Sequence, residues 1–137
     1  ALFDAGAYPI KIAQIFLGFD IEVSAASLCF DNQKNVDIWG GAFINQKNGS
    51  LFAEIAFGFD NFYQCNLELW GSEGKIYTNR IFTAPTDYSP EIFLETNIMG
   101  NKQKITATLA GAAVAKALSK GFMSGTLAKL GPIRIKL

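Results

Sequence analysis

The chain begins with apolar residues at the spacing of a helix. Between the eighth and seventeenth positions these residues recur along one side: Ile12, Ala13, Ile15, Phe16 and Leu17. Such a pattern is typical of an amphipathic helix. Pro9 suits the first turn of a helix and Gly18 suits the position just past its end. We therefore predict a helix over residues 8–17.

From Ile21 onward the pattern is that of β-strands, with apolar runs separated by short polar turns. The predicted strands are residues 21–30, 36–45, 51–57, 63–70, 75–82, 91–97 and 103–109. Turns such as residues 46–49 indicate hairpins between neighbouring strands, which predicts an antiparallel meander. A helix beside such a sheet places the fold in the α+β class.

Many strand positions are apolar on both alternating sides, whereas a half-solvated sheet alternates more cleanly. We therefore expect a mostly antiparallel open sheet, with the N-terminal helix packed on one face and a partner domain or subunit on the other. The Ala-rich residues 107–121 predict a C-terminal helical segment that Gly111 weakens. The last residues, 122–137, are apolar and basic, which fits either a solvated face or contact with an acidic partner.

Composition narrows the classes of function. The 137 residues carry 12 basic and 12 acidic side chains, and this balance argues against nucleic acid and anionic membranes as partners. With neither a membrane-length apolar run nor a basic leader, we expect a cytoplasmic protein. The chain has no histidine, so proton transfer falls to Tyr, Lys, Asp or Glu, and we expect no metal site. Cys29 and Cys65 are expected to be buried free thiols.

The first eighteen residues are the densest in chemistry. Asp4, Gly6, Tyr8 and Lys11 lie at the mouth of the predicted helix. If a helical turn begins near Asp4, the acid, the phenol and the ammonium share one face. Without other information, Tyr8 fits a packed ring with a solvated hydroxyl, and Asp4 fits a helix N-cap.

Several motifs in sequence order resemble one enzyme family. They are ALFDAGAYPI at residues 1–10, VDIWG at 36–40 with GSLFAEIAFGF at 49–59, and LELWGSEGKIY at 67–77 followed by RIFTAP at 80–85. Together they resemble the C-terminal domain of the Gfo/Idh/MocA superfamily, which includes glucose–fructose oxidoreductase and inositol dehydrogenase. The resemblance covers residues 1–105, while residues 106–137 depart from the family pattern. We expect residues 1–137 to form a single domain.

The resemblance implies the substrate-binding and oligomerisation domain of an NAD(P)-dependent sugar or sugar-nucleotide oxidoreductase. In the family a separate Rossmann domain holds NAD(P), and this chain has neither a G-x-G-x-x-G motif nor the family's "EKP" lysine. We therefore expect the chain alone to bind no cofactor and to be inactive. The implied partners are a sugar or sugar nucleotide and further copies of the chain, paired through the sheet face. The alternative is a non-catalytic module that oligomerises or binds a partner through its sheet.

The resemblance also implies roles for particular residues. Tyr8 occupies the family's Tyr/His position, which exchanges a proton with the substrate oxygen. Asp4 would orient Tyr8 or accept a hydrogen bond from a sugar hydroxyl, and Lys11 would supply a nearby cation. Arg80 would bind a phosphate or carboxylate of an activated sugar, although an ion-paired arginine fits equally. Tyr63 would stack on a sugar, although packing on a sheet face is the alternative.

Overall fold

The protein is seen here in a computed structural model, which describes residues 1–71, 74–83, 85–89, 91–96, 102–106 and 134–136. Its elements over these residues are α1 (Ala7–Leu17), β1 (Ile21–Asp31), β2 (Val36–Gln46), β3 (Phe52–Gly58), β4 (Leu67–Trp70), β5 (Lys75–Thr78), β6 (Glu91–Glu95), β7 (Lys102–Thr106) and β8 (Arg134–Lys136). The chain divides into two compact units between Tyr63 and Gln64. This content confirms the α+β class with mostly antiparallel strands. The predicted helical segment at 107–121 lies outside the described residues.

Helix α1 forms where its apolar pattern predicts, one residue earlier than expected. Gly6 is its N-cap, and Gly18 ends it with φ +84°, a conformation that glycine adopts without strain. The N–H of Gly18 donates to the carbonyl of Gln14 at 3.0 Å. Ile15 was predicted on the buried side but is 38% exposed. The buried side of α1 is formed instead by Ile12, Ala13, Phe16 and Leu17.

In the first unit, β1, β2 and β3 form the predicted antiparallel meander. The turn between β1 and β2 is held by Asp31, whose carboxylate accepts the N–H groups of Gln33 and Lys34 at 2.8 and 3.0 Å. Asn35 closes this turn with φ +51°, which asparagine tolerates better than most residues. Register shifts at two points in β1 mark irregularities of the edge strand.

Helix α1 packs on one face of β2 and β3. The buried apolar residues of this unit are Ile12, Ala13, Phe16, Leu17, Ile44, Ala53 and Ile55. Burying each large side chain of this kind stabilises the fold by about 1.5–3 kcal/mol. The C-terminal end of the helix is tied to the β2–β3 turn, since Lys47 pairs with Asp20 at 3.5 Å and Asn48 donates to Asp20 at 2.9 Å.

The opposite face of this three-stranded sheet is here called the outer face. Small residues lie in register at its centre, where Ser27 pairs with Gly41 and Gly41 with Ala56. Aromatic side chains flank them, and Phe43 stacks on Phe52 with ring centroids 5.4 Å apart. Strand β1 is exposed along nearly its whole length, so α1 covers only β2 and β3 within this unit.

In the second unit, β4 to β7 pair in order as antiparallel neighbours, which confirms the predicted hairpins. Three of these strands are shorter than predicted, and one of them is β6, which ends at Glu95. β4 begins at Leu67 because residues 61–64 form an exposed connection. β5 ends at Thr78 because the chain then turns toward Cys65, which accepts the N–H groups of Ile81 and Phe82.

The strands of the second unit alternate between a buried and a partly exposed side. Its buried residues are Cys65, Leu67, Leu69, Ile76, Thr78, Ile81 and Ile92. The other side carries a stack of Tyr77 on Phe93, with centroids 4.9 Å apart, and an ion pair of Lys75 with Glu95 at 3.6 Å. Within the described residues, no helix has the length and apolarity that a membrane crossing requires.

Candidate functional site at the start of helix α1

The residues before α1 form a tight turn. The carbonyl of Ala1 accepts the N–H groups of Asp4 and Gly6 at 3.2 and 3.0 Å, and the carbonyl of Asp4 accepts that of Ala7 at 3.2 Å. A Cβ atom at Gly6 would lie 2.6 Å from the carbonyl oxygen of Leu2. Glycine is therefore required at this position for the turn to close onto the helix.

This turn is held to the sheet by Asp37, near the start of β2. The Asp37 carboxylate accepts the N–H of Leu2 at 2.5 Å and lies 3.0 Å from the amino nitrogen of Ala1, which also donates to the Asp37 carbonyl at 2.9 Å. The hydrogen bond from the Leu2 N–H holds the pKa of Asp37 below its ordinary value. No role was predicted for Asp37 from the sequence. Its one signal is an acid between the apolar Val36 and Ile38.

Tyr8 is the second residue of α1, and 53% of its surface is exposed. Its ring is therefore accessible to a ligand in solvent. Asp4 lies in the turn before the helix, with an exposed side chain. The alternative of Asp4 as the N-cap is wrong, because Gly6 is the N-cap and no side chain caps the first turn. Its exposed carboxylate can instead accept hydrogen bonds from a ligand.

Lys11 is exposed and lies three residues after Tyr8, so both project from neighbouring positions of the helix surface. Its ammonium nitrogen lies 5.4 Å from the centroid of the Phe19 ring, within range of a cation–π interaction. Phe19 is 79% exposed, and its contact with Lys11 was not predicted from the sequence. Asp4, Tyr8 and Lys11 thus belong to one continuous segment at the start of α1.

The remaining candidates lie elsewhere. Tyr63 is in the connection after β3 and is 55% exposed, so the expectation that it begins a strand is wrong. Arg80 belongs to the second unit, where it forms an isolated bridge with Cys65 and its N–H donates to the Thr78 hydroxyl at 3.4 Å. Cys65 is a buried free thiol as predicted, whereas Cys29 is only half-buried. Over the described residues, no cluster of side chains has the composition of a metal site.

No family model matches this chain. Among curated proteins, it is 38% identical over 95 residues to a dTDP-3,4-didehydro-2,6-dideoxy-alpha-D-glucose 3-reductase from Actinomadura kijaniata. The aligned residues make up 69% of this chain and 28% of that protein. An enzyme of the same name from Streptomyces violaceoruber is 31% identical over 125 residues, covering 88% of this chain and 36% of that protein. The relatives of this chain are sugar-nucleotide ketoreductases. The chain spans 28% and 36% of the length of these two relatives.

Solved structures lead to the same group of enzymes. A 3-ketoreductase from Actinomadura kijaniata, in complex with TDP-benzene and NADP in an open conformation, matches with a TM-score of 0.74 at 30% identity. The match covers 92% of this chain and 40% of that one. A tyrosine-to-phenylalanine mutant of the same enzyme, also with TDP-benzene and NADP, matches with a TM-score of 0.73. These matches confirm the relation to sugar-nucleotide oxidoreductases that the sequence motifs predict.

Proposed function

We propose that this chain is the substrate-binding and oligomerisation domain of an NADP-dependent ketoreductase that acts on a dTDP-linked sugar. The observation that carries the proposal is its identity of 31–38% to dTDP-sugar 3-reductases from four organisms. Those matches cover 67–88% of the chain. The fold match to a ketoreductase that binds TDP-benzene and NADP supports the same substrate class.

The described residues do not fit a site for NADP. The strand pairs β1–β2, β2–β3, β4–β5, β5–β6 and β6–β7 are antiparallel, whereas dinucleotide sites are built on parallel strands joined by helices. The sequence also contains no G-x-G-x-x-G turn. We therefore assign no residue of this chain to the cofactor, and confine its role to the sugar and to proton transfer.

Tyr8 is proposed as the proton donor to the substrate carbonyl oxygen. Negative charge develops on that oxygen as a ketone is reduced, and a positioned O–H group lowers the energy of the charged state. The exposure of the Tyr8 side chain gives a ligand access to it. Its place in the first turn of α1 adds the positive end of the helix dipole, which favours nearby negative charge.

The other candidates are proposed to bind the substrate. Asp4 has an exposed carboxylate that can accept hydrogen bonds from sugar hydroxyls, next to Tyr8 in the chain. Lys11 supplies an ammonium group, suited to the negatively charged part of a sugar nucleotide. Tyr63 offers an exposed ring for stacking on a sugar or base. Arg80 is suited to a phosphate through its planar guanidinium.

Isothermal titration tests the substrate class. The chain would be titrated with dTDP-glucose, dTDP and free glucose, alone and with a separately supplied dinucleotide-binding domain carrying NADP. We expect binding of dTDP-glucose in at least one of these states and little binding of glucose, because glucose lacks the phosphates to which the Lys11 and Arg80 cations are suited. The absence of dTDP-glucose binding in both states would refute the proposal.

A second candidate function is oligomerisation through the outer face without catalysis. The small residues at its centre and the flanking Phe43, Phe52 and Trp39 form a mainly apolar surface, on which Glu54 lies opposite Phe43, and monomeric proteins rarely leave large apolar surfaces exposed. Light scattering coupled to size exclusion would measure the mass of the chain, of Ala56→Lys and of Ser50→Lys as an exposed control. We expect Ala56→Lys alone to lower the oligomeric state. A monomeric parent chain at high concentration would contradict pairing through this face.

A further inference from the structure

Strand β2 contacts the α1 segment at both of its ends. At the start of the strand, the Asp37 carboxylate accepts the N–H of Leu2. At its other end, the side-chain amide of Gln46 donates to the carbonyl of Leu17 at 3.0 Å. The helix is therefore fixed lengthwise by polar contacts as well as by its buried face. Apolar packing is not directional, whereas these contacts set where the helix begins and ends along the strand.

The connection from Leu2 to Tyr8 is short and closed by its own hydrogen bonds. Ala1 accepts from Asp4 and Gly6, and Gly6 in turn accepts the N–H of Ile10 at 3.3 Å within the helix. The Leu2 carbonyl lies so close to Gly6 that a Cβ there would clash. A shift of Leu2 is therefore transmitted through the turn to the first turn of α1.

We propose that Asp37 is a positioning residue for Tyr8, which it acts on through the Leu2 N–H and the turn before α1. The inference rests on the proposed function, in which Tyr8 donates the proton. The Asp37 carboxylate binds the backbone N–H of Leu2, so this contact does not depend on the side chain at position 2. Hydrogen bonds to a carboxylate are stronger than those to a neutral acceptor, which makes an acid well suited to this task.

Nuclear magnetic resonance of the chain with 13C-labelled tyrosine tests this directly. The variants are Asp37→Ala, which removes the acceptor, and Asp37→Asn, which keeps an oxygen at the same place without its charge. Asp31→Asn is the matched control, because Asp31 also accepts two backbone N–H groups but holds the β1–β2 turn. A second readout is hydrogen exchange at the amide of Leu2.

In Asp37→Ala we expect the ring signals of Tyr8 to shift and the Leu2 amide to exchange roughly tenfold faster. For Asp37→Asn, the shift of the Tyr8 signals and the exchange rate of the Leu2 amide should lie between those of Asp37→Ala and the parent. Asp31→Asn should leave both readouts unchanged. The signals of Tyr77 and Tyr88 in the second unit should stay in place, which separates displacement of the turn from general unfolding. Unchanged Tyr8 signals in Asp37→Ala would overturn the proposal.

The kinetic consequence is measured after the chain is combined with a dinucleotide-binding domain. Because a displaced Tyr8 impairs proton donation more than binding, we expect Asp37→Ala to lower kcat about tenfold with KM nearly unchanged. An equal rise in KM with kcat unchanged would overturn the positioning role. If the parent combination turns over no dTDP-sugar, the proposed function fails, while the spectroscopic comparison still decides whether Asp37 positions Tyr8.

Discussion

The side-chain amide of Gln46 donates a hydrogen bond of 3.0 Å to the carbonyl oxygen of Leu17. Carbonyl groups in the last turn of a helix have no partner within the helix, so this bond satisfies one that is otherwise left to water. It also joins the end of α1 to the end of β2. The bond therefore satisfies the last turn of α1 and also fixes the position of the helix along β2.

Removal of this contact should destabilise the first unit. We expect Gln46→Ala to lower the free energy of unfolding by about 1 kcal/mol, since one partly buried hydrogen bond is lost. Urea titration followed by circular dichroism measures the change. Gln33→Ala, in the exposed β1–β2 turn, serves as the control and should change the stability by less than about 0.5 kcal/mol. Equal stability of Gln46→Ala and the parent would show that the bond contributes nothing.

Gly49 leaves room for the Gln46 side chain. A Cβ at this position would collide with the side-chain oxygen of Gln46, whose flexible end must then move. We expect Gly49→Ala to lose the Gln46–Leu17 hydrogen bond without further damage. In a double-mutant cycle, adding Gly49→Ala to Gln46→Ala should therefore cost less than Gly49→Ala costs alone. Strict additivity of the two unfolding free energies would contradict this coupling.

The stability of the chain should depend on Asp37 at acid pH. The native-state pKa of Asp37 lies below its ordinary value, because its carboxylate accepts the N–H of Leu2. Its contribution is therefore complete above the unfolded-state value and is lost as the pH falls through the lower native value. Thermal melts between pH 7 and pH 2 would measure it. At pH 7, Asp37→Asn should have a lower melting temperature than the parent, and its melting temperature should fall less on acidification. Parallel curves of melting temperature against pH for the two proteins would contradict this assignment.

Much of the fold follows from local sequence signals. The period of the apolar residues predicts α1, because the buried face of a helix repeats with the helical geometry. Apolar runs between polar turns predict each strand of both meanders. Gly18 and the polar turns fix where these elements end. The ends of β4 and β5 could not be predicted in this way. The end of β5 depends on the hydrogen bonds of Ile81 and Phe82 to Cys65, which are contacts between residues sixteen or more positions apart.

The candidate site was less predictable than the fold. Asp4, Tyr8 and Lys11 are close in sequence, so their common segment was apparent. An N-cap was the alternative role for Asp4, because acids often occupy that position, but the turn closed by Ala1 places the N-cap at Gly6 and the first helical residue at Ala7. The hydrogen bond from the Leu2 N–H to the Asp37 carboxylate joins residues 35 positions apart, and nothing in the local sequence pattern indicates such a contact.

The proton-donor role of Tyr8 is the central claim of the proposed function. Its most direct test is the kcat for reduction of a dTDP-linked 3-keto sugar by the chain combined with a dinucleotide-binding domain and NADPH. We expect Tyr8→Phe to lower kcat by roughly 10²–10⁴-fold, the usual contribution of a general acid, with substrate binding retained. Tyr88→Phe, which removes a hydroxyl in the second unit, should keep the parent rate. A Tyr8→Phe variant that turns over at the parent rate would contradict the claim.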